Sequence, residues 1–168
     1  GAVYITFAGP SSALFMQGEI RADGEGRNEY HSGGAGGSVF IDLNGGTIYG
    51  GSSVTAKIWA NGGSCLNTAG AVAGGGGRVS VVNYVPGTSF ENISFMARGG
   101  EVCASWARVG TPGTVYLQPV GELPDLVVSN WDLNDSNDSD YSVMDFYGTS
   151  FDHIEIGGRL QAVGCHLE

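Results

Sequence analysis

Three cysteines are the residues of this chain whose spacing could form a covalent link. Cys65 and Cys103 stand 38 residues apart, and both follow strand-like segments of the same type, as does Cys165. If one turn of the chain takes 38 residues, Cys65 and Cys103 lie on adjacent strands about 4.8 Å apart, which suits a disulfide. If one turn takes about 19 residues, they are roughly twice as far apart, and buried free thiols are the alternative. A Cys65–Cys103 disulfide would leave Cys165 for a bond to another chain or segment.

An acidic stretch, rich in Asn and Ser, spans residues 132–145 and carries oxygen ligands at the spacing of a calcium loop. The candidate ligands are Asn134, Asp138, Asp140 and Asp145. The glycine that an EF-hand requires at position 6 is replaced by Ser139, and position 12 is Asp rather than Glu. The stretch therefore predicts a solvated loop, with a calcium site of another geometry as the alternative and no other cofactor.

Asn-X-Ser sequons occur at Asn92, Asn134 and Asn137. They are candidate N-glycosylation sites if the chain passes through a glycosylating secretion route.

Carboxylates and cations near two strand-like segments raise the question of catalysis. Asp23 and Asp42 would lie on adjacent strands of a coil, with Asn61 next, and a β-helix polysaccharide lyase can hold calcium with such an array. Lys57 or Arg98 would then be the base. A solvent-exposed polar face without catalytic function would contain the same residues. In addition, no Ser-His-Asp order and no phosphate-binding loop stands out. We therefore expect no enzyme activity.

The elements that must position these residues recur about every 19 residues. Strand-like segments begin at Val3, Ile20, Val39, Ile58, Val79, Phe95, Val115 and Val127. Their third residues alternate between large and small: Ile5, Ala22, Ile41, Ala60, Val81, Ala97, Leu117 and Ser129. Neighbouring turns of a stacked coil must interdigitate in their core, and this alternation is typical of such a coil. Two related segments make a longer repeat of about 38 residues.

The two faces of these segments differ in polarity. The first and third residues are almost all apolar, so that strand alternation predicts a core on that face. The second residues point outward and include an aromatic row: Tyr4, Phe40, Trp59 and Tyr116. Three alternatives are open for this row, namely cover by the chain's own loops, a protein neighbour, or a stacked glycan.

Composition narrows the class of protein. Glycine accounts for 30 of 168 residues and clusters between the segments, which predicts tight corners with positive φ. The formal net charge is −10 with one lysine, so nucleic acid and acidic membrane surfaces are poor partners. No apolar stretch is long enough for a transmembrane helix, and we expect no membrane insertion. Low lysine content fits an extracellular or cell-surface location.

Four glycine-containing blocks, at 33–41, 58–63, 74–81 and 113–117, carry a family resemblance. In this order they resemble the glycine-rich repeats of large secreted or cell-surface proteins with a right-handed, pectin-lyase-like parallel β-helix. The resemblance covers about 33–118 and implies a stalk, adhesin or surface fibre without catalytic residues. The chain is far shorter than such proteins, so it is either a fragment or a small self-assembling subunit.

The sequence thus predicts an all-β fold, a parallel β-helix (solenoid) that forms a single domain over residues 1–168. The predicted function is structural: an extracellular building block of a cell-surface filament, stalk or adhesin. Its expected partners are further copies of itself or neighbouring segments of a longer surface protein, joined by strand addition at an uncapped end. The alternative is a carbohydrate-binding or polysaccharide-lyase-like β-helix, whose partner is a glycan.

Overall fold

The computed structural model describes residues 1–26, 32–65, 72–101, 109–129, 142–145, 153–157 and 160–163. These residues form thirteen strands and no helix. The strands are β1 (Ala2–Thr6), β2 (Ala13–Met16), β3 (Glu19–Arg21), β4 (Ser38–Asp42), β5 (Thr47–Gly50), β6 (Ala56–Trp59), β7 (Arg78–Tyr84), β8 (Ile93–Met96), β9 (Thr114–Pro119), β10 (Asp125–Ser129), β11 (Ser142–Asp145), β12 (His153–Gly157) and β13 (Leu160–Val163).

Strands one repeat apart pair in parallel through the first two thirds of the chain. β1, β4, β7 and β9 lie side by side, with Val3, Val39, Val79 and Val115 in one register row. β3, β6 and β8 form a second sheet, and β2 and β5 form a third. Partners in β1–β4 and β7–β9 are 36 residues apart and those in β3–β6 are 38 apart. The pairing distance is therefore the longer of the two repeats, not 19 residues.

The predicted fold class, a single parallel β-helix, is wrong for this chain because the sheets are of mixed orientation. β10 turns back and runs antiparallel to β9, with Leu126 opposite Tyr116. β12 then pairs in parallel with β10. The segments that begin at Val115 and Val127 are too close for a full repeat, and they form a hairpin whose turn contains Gly121 at φ 72°.

The core lies where the alternation predicts it. Ile41, Val79 and Val81 are completely buried, because the first and third residues of a segment point inward. The small positions Ala60 and Ala97 are buried beside them and belong to the same cluster. Large and small side chains therefore fill one continuous interior, as expected for close packing.

A third strand in each of the first two repeats was not predicted. β2 and β5 pair in parallel, with Leu14 opposite Ile48. Ile48 is 1% exposed and joins the core, while Leu14 packs against it from the edge.

Six segments that contain most of the clustered glycines pack as two layers between the strands. The first glycine layer consists of residues 22–26, 60–65 and 97–101. The second glycine layer consists of residues 32–37, 72–77 and 109–113.

Backbone hydrogen bonds join these segments both within and between the layers. Gly62 N donates to Arg98 O at 2.8 Å within the first glycine layer, and Gly74 N donates to Gly63 O at 2.9 Å between the two glycine layers. A Cβ at Gly62 would overlap the carbonyl oxygen of Gly74. Glycine is therefore required here because backbone packs directly on backbone.

The prediction that these glycine clusters form corners with positive φ is wrong for most of them. Among the described glycines, positive φ occurs at Gly45, Gly87 and Gly121. Only Gly45 belongs to a predicted cluster, and it lies in the turn between β4 and β5.

Candidate functional site

A groove of about 260 Å³ opens where β3, β6 and β8 end and the first glycine layer begins. Arg21 and Trp59 are the last residues of β3 and β6, and both line the groove. The backbones of Gly62 and Gly99 also line it. The parallel register of the three strands brings the same repeat positions together at this edge.

A row of polar groups crosses the groove through the fourth positions of successive repeats. Asn61 N donates to Asp23 Oδ1 at 2.6 Å, and Arg98 N donates to Asn61 Oδ1 at 3.0 Å. The amide oxygen of Asn61 is thereby fixed toward Arg98. Asn61 is 9% exposed, and its Nδ2 has no hydrogen-bond partner among the described residues. Within the described part of the chain, the groove therefore contains a buried donor without an acceptor.

Trp59 lies beside this row with its indole held in place. Its Nε1 donates to Ser94 Oγ at 3.3 Å. Lys57 Nζ lies 4.6 Å from the ring centroid and Arg21 Cζ lies 5.3 Å from it, so both cations interact with the ring. These contacts fix the orientation of a half-buried aromatic side chain.

Ion pairs connect the cations around Trp59. Glu19 accepts from Lys57 Nζ at 2.8 Å and from Arg21 at 3.4 Å, and Arg21 Nη2 lies 2.6 Å from Asp23 Oδ2. The hydrogen bond from Lys57 lowers the pKa of Glu19, and the hydrogen bond to Asp23 raises the pKa of Arg21. Both groups stay charged at neutral pH.

The cations beside the groove are paired with carboxylates. Arg98 Nη2 lies 3.3 Å from Glu101 Oε1, and this ion pair lies on the side of the groove that follows β8. The charged residues are Arg21, Lys57 and Arg98 against Glu19, Asp23 and Glu101. These six side chains thus offer donors and acceptors whose charges cancel.

The structure separates the predicted aromatic row into two surfaces. Tyr4 stacks on Phe40 across β1 and β4, with ring centroids 5.2 Å apart and planes at 4°. Tyr116 lies two strands further along the same sheet, beyond Ser80. Trp59 belongs to the β3–β6–β8 sheet and does not join this row.

Sequence reasoning missed a second exposed aromatic pair. Phe15 and Tyr49 face each other across β2 and β5, with ring centroids 5.1 Å apart. They are 49% and 47% exposed. The signal was the short apolar run that contains Leu14 and Phe15, which resembles the strand segments that were recognised.

The expected stack of Asp23 and Asp42 is wrong because Asp42 ends β4 in one sheet, whereas Asp23 follows β3 of another sheet. Asp23 contacts Asn61, as described above. Asp42 Oδ1 instead accepts from Asn44 N at 2.9 Å and from Asn83 Nδ2 at 3.0 Å. Asp42 therefore supports the turn at Asn44 and the register irregularity of β7 at Asn83, and both asparagines have positive φ.

The predicted cysteine link stays a prediction. Cys65 is buried, and its backbone N donates to Glu101 O at 3.2 Å. Cys103 and Cys165 lie outside the described residues.

Most of the predicted calcium ligands and two of the three sequons also lie outside the described residues: Asn134, Asn137, Asp138 and Asp140. Asp145 is the last residue of β11. Within the described ranges, no group of three or more His, Cys, Asp or Glu side chains is placed to hold a metal ion. The sequon residue Asn92 is exposed in the turn before β8, with φ 58°.

No protein-family model, curated protein or solved structure matches this chain. The described part of the chain contains no helix that is long and apolar enough to cross a membrane.

Proposed function

We propose that this chain is a non-catalytic structural protein, an extracellular building block of a cell-surface filament, stalk or adhesin. It assembles through the first layer, which we define as β1, β2 and β3. The observation that supports this proposal is the partial exposure of core-type side chains in that layer.

The side chains of the first layer follow the same apolar pattern as those of the next strand layer, but they are less buried. Ile5 and Ile20 occupy the register positions of Ile41 and Ile58. Ile41 and Ile58 are fully buried, whereas Ile5 and Ile20 are only partly buried. Covering this surface with another apolar strand layer would remove it from water, which favours association.

The backbone of β1 offers hydrogen bonds at the same edge. β1 is the end strand of its sheet. Phe7 N donates to Asp42 O at 3.0 Å, so alternation directs the amides of Tyr4 and Thr6 away from β4. Those two residues can therefore pair with an added strand.

The edge lacks the features that normally prevent strand addition. Natural edge strands are protected by charged side chains, proline or bulges. Residues 1–7 contain no charged side chain and no proline, and β1 pairs with β4 in unbroken register. Tyr4 is 73% exposed on this strand. A second copy of the chain carries the same alternating strand, and we take it as the occupant of this edge.

Thr6→Pro tests the proposal because proline removes an amide that points to the free edge. The β1–β4 hydrogen bonds do not use that amide, so the fold is retained. Thr6→Val is the matched control, since it keeps the amide and the strand preference. We expect sedimentation velocity to show concentration-dependent association for the parent and for Thr6→Val, and monomers for Thr6→Pro. A parent chain that stays monomeric at millimolar concentration, or a Thr6→Pro variant that associates like the parent, would contradict the proposal.

A further inference from the structure

We propose that the groove between Trp59 and Asn61 binds a neutral sugar unit of a glycan. This site is separate from the β1 edge that carries the proposed assembly, and it gives the chain a ligand as well as a neighbour.

The buried amide of Asn61 is the first reason. Its oxygen is committed to Arg98 N, so its Nδ2 must point its hydrogens elsewhere. No acceptor for Nδ2 is present among the described residues, and Asn61 is nine-tenths buried. An unsatisfied buried donor costs free energy, which a ligand oxygen in the groove would recover.

The pairing of the two arginines with carboxylates indicates a neutral ligand. Arg21 and Arg98 provide donors, and each is already paired with a carboxylate, Asp23 or Glu101. A strongly anionic ligand would have to compete with those carboxylates. A sugar hydroxyl both donates and accepts a hydrogen bond, so it fits a groove that presents both kinds of group.

Trp59 supplies the apolar contact that a sugar ring requires. An aromatic side chain combines a large apolar surface with a polar edge, and it packs against the C–H face of a ring. The indole is oriented by Ser94 and by the two cations, so little side-chain entropy would be lost on binding.

Glycine gives the ligand access to the backbone. Gly62, Gly63, Gly99 and Gly100 line the groove, and none of them carries a side chain that would fill it. The cavity of about 260 Å³ approaches the lower end of the range for small-molecule sites.

The test is a printed array of neutral hexose and N-acetylhexosamine oligosaccharides together with sialylated and sulfated glycans. The strongest neutral binder is then titrated by isothermal calorimetry against the full chain. We expect Trp59→Ala to weaken binding at least about tenfold, because the stacking surface is lost. Asn61→Asp retains the acceptor for Arg98 N and replaces the donor, so we expect a similar loss.

Phe15→Ala is the control, because it removes an exposed aromatic side chain from a different sheet. It should leave the affinity unchanged, and the melting temperature of each variant shows whether the fold is intact. Three results would each overturn the proposal. The first is that no glycan binds, which would mean that water alone accepts the hydrogen bond from Asn61 Nδ2. The others are that only acidic glycans bind, or that folded Trp59→Ala and Asn61→Asp variants still bind the neutral glycan as the parent does.

Discussion

Gly62→Ala is the substitution that most directly tests the packing of the two glycine layers. The added Cβ would overlap Gly74 O, its nearest atom, and would lie 2.6 Å from the carbonyl carbon of Gly74 and 2.7 Å from Gly75 O. Ordinary contacts begin at 3.4 Å. The two layers would therefore have to separate locally by more than about 0.8 Å, because the overlap with Gly74 O is larger than that with either of the other two atoms. The obstructing atoms are backbone atoms that no rotamer change can remove.

The magnitude follows from the hydrogen bonds that hold the layers together. Gly74 N donates to Gly63 O at 2.9 Å and Gly100 N donates to Gly74 O at 2.8 Å, and both would be stretched. Each backbone hydrogen bond contributes about 1 kcal/mol net, and overpacking adds about 1–3 kcal/mol. We therefore expect a loss of about 3–5 kcal/mol in the free energy of unfolding. For a chain of this size, that lowers the melting temperature by about 6–20 °C.

The assay is thermal unfolding followed by circular dichroism, with urea unfolding for the free energy. Gly18→Ala is the matched control, because no atom lies within 4 Å of its Cβ position and its φ is not positive. It should change the stability by less than about 1 kcal/mol. If Gly62→Ala unfolds within about 2 °C of the parent, the reasoning about backbone contact between the layers is refuted.

Two further predictions concern the burial of isoleucine side chains in the core and the titration of Tyr84. Below the concentration at which the chain associates, Ile41→Ala should cost about 3–4 kcal/mol and Ile5→Ala about 1–2 kcal/mol by urea unfolding, because only Ile41 is fully buried; equal losses would contradict an open first layer. Burial raises the pKa of Tyr84 to about 12, and Asp125 and Glu122 add to this. The folded state therefore retains the phenolic proton above pH 10, where the unfolded state loses it, and stability falls between about pH 10 and 12. Tyr84→Phe should recover about 1.4 kcal/mol of that loss at pH 11, relative to its effect at pH 8; an unchanged pH dependence would count against this assignment.

The strands of the repeat were predictable because their apolar alternation is strong. Val39 and Val79 begin segments whose first and third residues are buried, as expected. The overall class was not predictable from that alternation alone, since a hairpin strand alternates in the same way as a repeat strand. Only the short interval between Val115 and Val127 distinguished the β9–β10 hairpin from another repeat.

The candidate groove was only partly predictable. Asp23, Asn61 and Trp59 were singled out from their repeat positions, and the structure places all three at one groove. The separation of Trp59 from Tyr4 could not be read from the sequence, because both occupy the second position of a segment. The difference lies in which sheet each segment joins, and pairing between distant segments determines that.

The two glycine layers also determine how the stability of this chain responds to temperature. They bury peptide groups against peptide groups, with almost no apolar side chain between them. Exposure of polar surface on unfolding lowers the heat-capacity change, whereas exposure of apolar surface raises it. The heat-capacity change per residue should therefore lie below that of a protein with an ordinary side-chain core. A smaller heat-capacity change flattens the stability curve, so that this part of the molecule loses less stability on cooling than its neighbouring apolar core.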